Sequence, residues 1–364
     1  MDDANAALPS DPTVDESYTK GARPVRPRNR TANSANTASR ESRADSAPGT
    51  QRGTRARAQG ATRPVGGNEN RGPQPRRLLD DAWYRRKLSR RLGGVAACLA
   101  ITVLISHLAL ATAPGQVLDT ILMEGTMRSA RRYEAFSMLI TGIVSVPVMV
   151  AAGLVVALVA AARRRPTLAG RALGAVIGAN VTTQILKDYI LTRPHLGVTT
   201  GAGNSLPSGH TTVAVTISLA LIIVAPHWFR APSAWIGWMW TSLMGVSVMM
   251  EGWHRPADVV VATLIAGAWA LALSPIERRP RHGTQAQHAM VWGSLGLIVI
   301  ALLATGAAMW GFSMSAASPG SGYGFEDFLQ IRPWRSRVLG VAAVAWVSAV
   351  CGLIMHEVDR LAGE

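Results

Sequence analysis

Leu206-Pro207-Ser208-Gly209-His210 opens a predominantly apolar run that continues to Pro226, and the reading of this stretch decides the fold. A helix needs about 20 mostly apolar residues to cross the hydrocarbon core, so the run reads as a span with a polar head at one membrane face. Two further apolar runs follow, at 232–250 and 257–275, with Glu251-Gly252-Trp253-His254-Arg255-Pro256-Ala257-Asp258 around the junction between them. From His210 to His254 is 44 residues, or about 66 Å of helix at about 1.5 Å per residue. That length is one crossing of a roughly 30 Å core and one return. His210 and His254 are therefore expected on the same face.

Working outward, apolar segments at 92–113, 135–162 and 170–191 precede this pair of crossings, and 290–312 and 338–356 follow it, giving eight expected spans. The composition agrees, since the chain is 48% hydrophobic and only 16% charged, against about 25% charged for a soluble domain. Its net charge of +15 is unevenly spread, with roughly half of the Lys and Arg before residue 92. Residues 1–85 are rich in Arg, Ser, Asn, Gly and Pro and are expected to form a disordered cytoplasmic tail, because they cannot bury enough apolar surface to offset ordering. The tail's arginines lack aromatic interleaving, so no nucleic-acid partner is expected. Arg85, Arg86, Lys87, Arg90 and Arg91 directly flank the first span and hold it inside. Arg163 to Arg165, Arg230 and Arg278, Arg279 and Arg281 place three loops on the same side, which puts both termini in the cytoplasm and His210 and His254 outside. Arg128, Arg131 and Arg132, with Arg332, Arg335 and Arg337, run against this bias; the first group suits an interfacial helix on anionic lipid. Gly170, Gly174 and Gly178 flatten one face of the third span for close packing. Cys98 and Cys351 both fall inside apolar segments and suggest neither a disulfide framework nor a metal site.

A third polar cluster, Lys187-Asp188-Tyr189-Ile190-Leu191-Thr192-Arg193-Pro194, ends the third span on the face that carries both histidines. Lys187 and Arg193 supply fixed positive charge, and a guanidinium binds two phosphate oxygens at once. Ser208 and Gly209 stand at a helix start, where free N–H groups and the helix dipole favour an anion. Two histidines beside an anion site allow one to attack phosphorus while the other protonates the leaving oxygen. Asp258, four residues beyond His254, falls on the same side of a helix and can orient its ring.

These residues resemble the type 2 phosphatidic acid phosphatase family, whose signature runs Lys, six residues, Arg-Pro; then Pro-Ser-Gly-His; then Ser-Arg, five residues, His, three residues, Asp. Pro207-Ser208-Gly209-His210 is the complete second part, and the resemblance covers roughly 135–275. It implies an all-α polytopic membrane bundle with a six-helix core over 86–276, here followed by two additional C-terminal helices in 277–364. It also implies a phosphatase acting on a lipid or polyprenyl phosphate or diphosphate without metal or cofactor. By the resemblance His254 is the nucleophile, Asp258 its partner and His210 the general acid, with Lys187, Arg193, Ser208 and Gly209 holding phosphate. The chain departs from the pattern twice. Five residues rather than six separate Lys187 from Arg193, displacing the lysine about 100° on an ideal helix unless the helix end unwinds. Ser-Arg reads Ser247-Val248, which leaves Arg255 as the substitute cation.

Plainer readings stand beside these. Ser208 alone is a capping serine, Lys187 can snorkel to the interface, Asn180 and Gln184 suit hydrogen bonding within the bundle, and His107 suits a packed histidine with a local partner. The rival functions are an inactive membrane scaffold or lipid-binding protein of the same fold, and a transporter. Polar residues gathered at one surface rather than across the bilayer disfavour the transporter.

Overall fold

The computed structural model describes residues 75–130, 134–143, 146–162, 164–198, 203–276, 284–315 and 322–363. Of the tail expected over residues 1–85, residues 1–74 lie outside them, as do Arg131, Arg132, Arg163, Arg278, Arg279 and Arg281. Among the described residues every regular element is helical. The order is α1 (Pro75–Ala111), α2 (Ala113–Ala130), α3 (Glu134–Ile143), α4 (Val146–Ala162), α5 (Pro166–Ile185), α6 (Gly209–Val224), α7 (His227–Met250), α8 (Pro256–Leu273), α9 (Thr284–Met309), α10 (Phe325–Ile331) and α11 (Trp334–Gly363).

Among the described residues four stretches are long and apolar enough to cross a membrane: Ala82–Ala111, Pro256–Leu273, Gln285–Met309 and Trp334–Leu361. The other expected spans are helical but shorter, more polar or divided. The 135–162 segment is divided between α3 and α4, with Pro147 in the first turn of α4, where a proline is pre-set for a helix start. α1 begins at Pro75, ahead of residue 86, where the core was expected to start. α10 was not foreseen, and α2 was anticipated only as an interfacial helix around Arg128.

The bundle is organised around α8. Of its apolar stretch 83% is buried, against 17% for α9, so α8 is the axis and α9 faces the surroundings. α8 packs against α1, α5, α6 and α11, and α11 in turn packs along α2, α7 and α9. Outward-facing Val103, Leu104, Leu158, Leu302 and Leu303 are exposed, a surface that only hydrocarbon solvates cheaply. Close approach is set by glycine at two of the three expected positions: a Cβ on Gly178 would lie 2.6 Å from the Trp269 ring and one on Gly174 3.2 Å from Leu273, both on α8, whereas Gly170 meets nothing. At one end of the bundle Arg90 of α1 makes a two-pronged ion pair with Glu357 of α11, at 2.5 and 2.7 Å. The start of α1 and the end of α11 therefore share that end.

Of the arginines that ran against the charge bias, Arg335 has a structural use. Its guanidinium lies 3.7 Å from the Phe328 ring centroid and donates to the carbonyls of Phe328 and Trp310, which ties the end of α9 to α10. Asn180 donates to Thr216 of α6 at 3.4 Å, the hydrogen bond between helices that its position suggested. Gln184 bonds Asp188 instead, at 2.6 Å. His107 is a correction: it sits on an exposed face of α1 rather than packed inside.

Candidate active site

At the end of α7 opposite its start, the chain must reverse in a few residues to begin α8. Glu251 closes α7 with its N–H on the Ser247 carbonyl, and Gly252 then takes φ +70°, a region open to glycine at no steric cost. The amides of Trp253 and His254 both return to the Val248 carbonyl, at 3.1 and 3.2 Å. Arg255 is the N-cap of α8, in extended conformation, and Pro256 occupies the first helical position.

This turn delivers His254 and Asp258 to one place. His254 Nδ1 lies 3.1 Å from Asp258 Oδ2, and both side chains are buried. Asp258 Oδ2 also accepts the Arg255 amide at 2.9 Å and the Ser205 hydroxyl at 2.7 Å. A carboxylate in the first turn of a helix faces its positive end, which favours the ionised form. With Nδ1 engaged, Nε2 is the ring nitrogen left for chemistry.

Ser205 is one of two residues the sequence reading missed. Its hydroxyl also accepts from Arg255 Nη1 at 3.2 Å, so a single oxygen links the Asp258 carboxylate to the Arg255 guanidinium. The loop carrying it is braced by Asn204, whose Nδ2 donates to the carbonyls of Leu191 and Leu206 at 2.8 and 2.9 Å. The Ser208 amide donates to the Asp258 carbonyl at 3.1 Å, fastening the start of α6 to the first turn of α8.

Ser208 itself is fully buried and acts as the N-cap of α6, with Oγ accepting from the Thr211 amide and its carbonyl from the Thr212 amide. The hydroxyl expected to hold phosphate is thus used by the helix start, while the amides of Gly209 and His210 stand ahead of it in the first turn. The His210 ring lies 5.5 Å from the Trp253 ring, and the charges of His254 and Lys187 both act on it.

The spacing problem at Lys187 dissolves in the structure. Leu186–Ile190 form a π-turn, Leu191 N–H reaches back five residues to the Leu186 carbonyl, and the chain is extended by Leu191. Arg193 is not on a helix, so helical rotation does not govern where it points. Its Nη2 is buried without a hydrogen-bond partner, and so is Nε of Arg255. The two guanidinium groups act on each other; burial first, and then the Arg255 charge, lowers the Arg193 pKa. Val248, where the family pattern has arginine, is fully buried in the apolar core.

The second missed residue is Asp119, on α2, a helix that also carries Glu124 and Arg128 and is not one of the apolar spans. Its Oδ1 accepts the Ala257 amide at 2.9 Å, adding a second carboxylate to the start of α8. Oδ2 is buried with no partner. Burial, then the Asp258 charge, push the Asp119 carboxyl up to about 7, against the pull of the Ala257 amide, Arg255 and Arg193. Nothing in the sequence marks Asp119, since it lies 138 residues from its partner. Among the described residues no cluster of His, Cys, Asp and Glu is placed to hold a metal ion.

Residues 149–282, from α4 to beyond the end of α8, match the family model described as the PAP2 superfamily, and the match ties this stretch of the chain to that superfamily. It includes Lys187, Arg193, Ser208, Gly209, His210, His254, Arg255 and Asp258, but not Asp119. No curated protein and no solved structure matches the chain.

Proposed function

We propose that the protein is a membrane-bound phosphatase that hydrolyses a phosphomonoester or diphosphate of a lipid or polyprenyl substrate through a phosphohistidine, at the extracytoplasmic face. The observation that carries this reading is the His254–Asp258 pair, 3.1 Å apart and buried, beside two guanidinium groups with unpartnered buried nitrogens. The superfamily match supports phosphatase chemistry in general, and the apolar helices support a substrate presented from the bilayer.

In this mechanism His254 Nε2 attacks phosphorus as the bond to the leaving oxygen breaks, and His210 donates a proton to that oxygen. Water then attacks phosphorus, giving its proton to His210 as the bond from phosphorus to His254 Nε2 breaks, which frees His254 and inorganic phosphate. Asp258 holds the His254 ring by Nδ1 and balances the positive charge that develops on it. Arg193, Arg255, Lys187 and the amides of Gly209 and His210 take the charge spread over the phosphoryl oxygens. Arg255 takes the place of the arginine replaced by Val248.

The test is a panel of phosphatidate, phosphatidylglycerol phosphate and polyprenyl diphosphate assayed for phosphate release, with acid-quenched trapping of labelled enzyme. Wild type should release phosphate from at least one and form an acid-labile phosphoenzyme; His254→Ala should do neither. Release by His254→Ala at the wild-type rate would sink the mechanism. A folded wild-type protein inert on the whole panel would favour the lipid-binding scaffold.

A further inference from the structure

Between α2, α7, α9, α10 and α11 lies a cavity of about 1270 Å³ that contains none of the catalytic residues. It is built largely by the chain beyond the matched segment. Its volume exceeds the roughly 300–1,000 Å³ of common small-molecule sites. Arg128 and Arg337 line it together with the uncharged polar Thr126, Ser129, Gln330 and Ser336, and the remaining walls are apolar, Val246, Leu297 and Val344 among them.

The dimensions follow the bilayer. Arg337 and Ala345 both line the cavity, eight residues apart on α11, or about 12 Å along the axis. Half of a roughly 30 Å core is about 15 Å, so the cavity reaches from one interface through most of one leaflet. Met250, the last residue of α7 before the catalytic turn, also lines it, which puts the arginine end in the leaflet on the catalytic side.

The wall between α2 and α11 is rigid. Gly340, in the lining, meets Gly125 so closely that a Cβ on it would lie 2.9 Å from the Gly125 carbonyl oxygen. The arginines at the rim are available in different degrees. Arg128 spends Nε on Glu124 at 3.3 Å, leaving its two Nη groups. Arg337 is exposed, unlike Arg335, which is committed to Phe328 and two carbonyls.

We infer that this cavity is a binding site for one intact anionic phospholipid, its chains between α7, α9 and α11 and its headgroup phosphate on Arg128 and Arg337. Paired cations at an interface attract anionic headgroups, and hydrocarbon suits the walls below them. Because Met250 borders both the cavity and the catalytic turn, the bound lipid braces the end of α7 from which His254 is hung. The site is separate from the catalytic one and does not rest on the reading of that centre.

Phosphatidylglycerol is the probe, since its phosphodiester offers no terminal phosphate to the catalytic histidine. Wild type, Arg128→Ala/Arg337→Ala and Val341→Trp, each purified in a non-ionic detergent, are titrated with phosphatidylglycerol and with phosphatidylcholine of the same chains. Bound lipid is read by native mass spectrometry. Wild type should retain one phosphatidylglycerol per chain in preference to phosphatidylcholine. The double variant should bind phosphatidylglycerol at least about tenfold more weakly and lose the preference. Val341 lines the cavity and is 54% exposed, so tryptophan there fills space without displacing the core, and this variant should retain neither lipid. His254→Ala should bind as wild type does, which keeps this result apart from the fate of the catalytic reading. Equal retention by wild type and the double variant, or no preference between the lipids, overturns the inference. So does displacement by millimolar glycerol phosphate, which would make a free phosphate ester the occupant. Both arginine side chains lie at the exposed rim, so the double variant decides the matter even if Val341→Trp fails to fold.

Discussion

Replacing Asp119 by asparagine separates the two things its carboxyl does at the start of α8. Asparagine keeps an oxygen to accept the Ala257 amide, now at 2.9 Å, but carries no charge. The carboxyl is raised from an ordinary 3.8 to about 7, chiefly by burial and next by the Asp258 charge. A folded-state value above the unfolded one means that the folded protein binds this proton more tightly. The resulting stabilisation is complete below about pH 4 and is lost as pH rises to about 7. At about 1.4 kcal/mol per pH unit, the loss is on the order of 4 kcal/mol. Asp119→Asn has no such loss. In detergent its Tm should equal that of wild type at pH 4 and exceed it by several degrees at pH 8. Asp119→Ala should be less stable than wild type at pH 4 and should melt below Asp119→Asn at both pH values, because a buried amide left without its acceptor costs about 1–3 kcal/mol. The opposite sign at pH 8, with Asp119→Asn melting below wild type, would show that the ionised carboxylate gains more from Arg193 and Arg255 than burial takes away. That result would refute the argument.

Other outcomes follow from the site. Asp258→Asn leaves the space filled and keeps one acceptor oxygen, but removes the charge that faces His254 Nδ1 and serves the Arg255 amide and Ser205; kcat should fall by a few powers of ten with KM nearly unchanged. Arg255→Ala removes a buried guanidinium and should cost about 3 kcal/mol, roughly a hundredfold in kcat/KM; a change under threefold would mean that the phosphate is held without it. Val248→Arg should not rescue that variant, because position 248 is fully buried in the apolar core and an unpaired charge there destabilises the bundle, as a lowered Tm would show. Phosphate release should survive EDTA, since the proposed mechanism draws on cationic side chains and amides; loss restored by Mg²⁺ would contradict it.

The residues of the candidate site were legible because their signals are local. Pro207 to His210 is a contiguous word, and His254 and Asp258 are four residues apart across the start of α8, near enough to meet although His254 precedes the helix. Their convergence was legible from length alone, since α6 and α7 must cross and return. The number of crossings was less so. A hydropathy count reads straight from Glu134 to Ala162, where one expected span is divided between α3 and α4. It also passes over α2, whose Asp119, Glu124 and Arg128 disguise a helix that packs along α11 and against α8. Ser205 and Asp119 were invisible for a related reason: each acts on a residue at least 50 positions away, and only the fold makes them neighbours.

The shortened interval from Lys187 to Arg193 shows where helix geometry ceases to be a guide. On an unbroken helix one missing residue rotates the lysine about 100° from its partner. The π-turn at Leu186–Ile190 and the extended chain after it remove the premise, so something other than the helix must fix Arg193. Three hydrogen bonds do so from outside. Asn204 holds the Leu191 carbonyl, Gln116 of α2 donates to the Pro194 carbonyl at 3.0 Å, and Tyr323, just before α10, donates to the Leu196 carbonyl at 2.5 Å. Gln116 and Tyr323 both lie outside residues 149–282. The cationic wall of the site is therefore positioned by parts of the chain beyond the matched segment, with Asp119 doing the same for the start of α8. A fragment cut to residues 149–282 would keep every residue of the signature and lose three of the contacts that aim them.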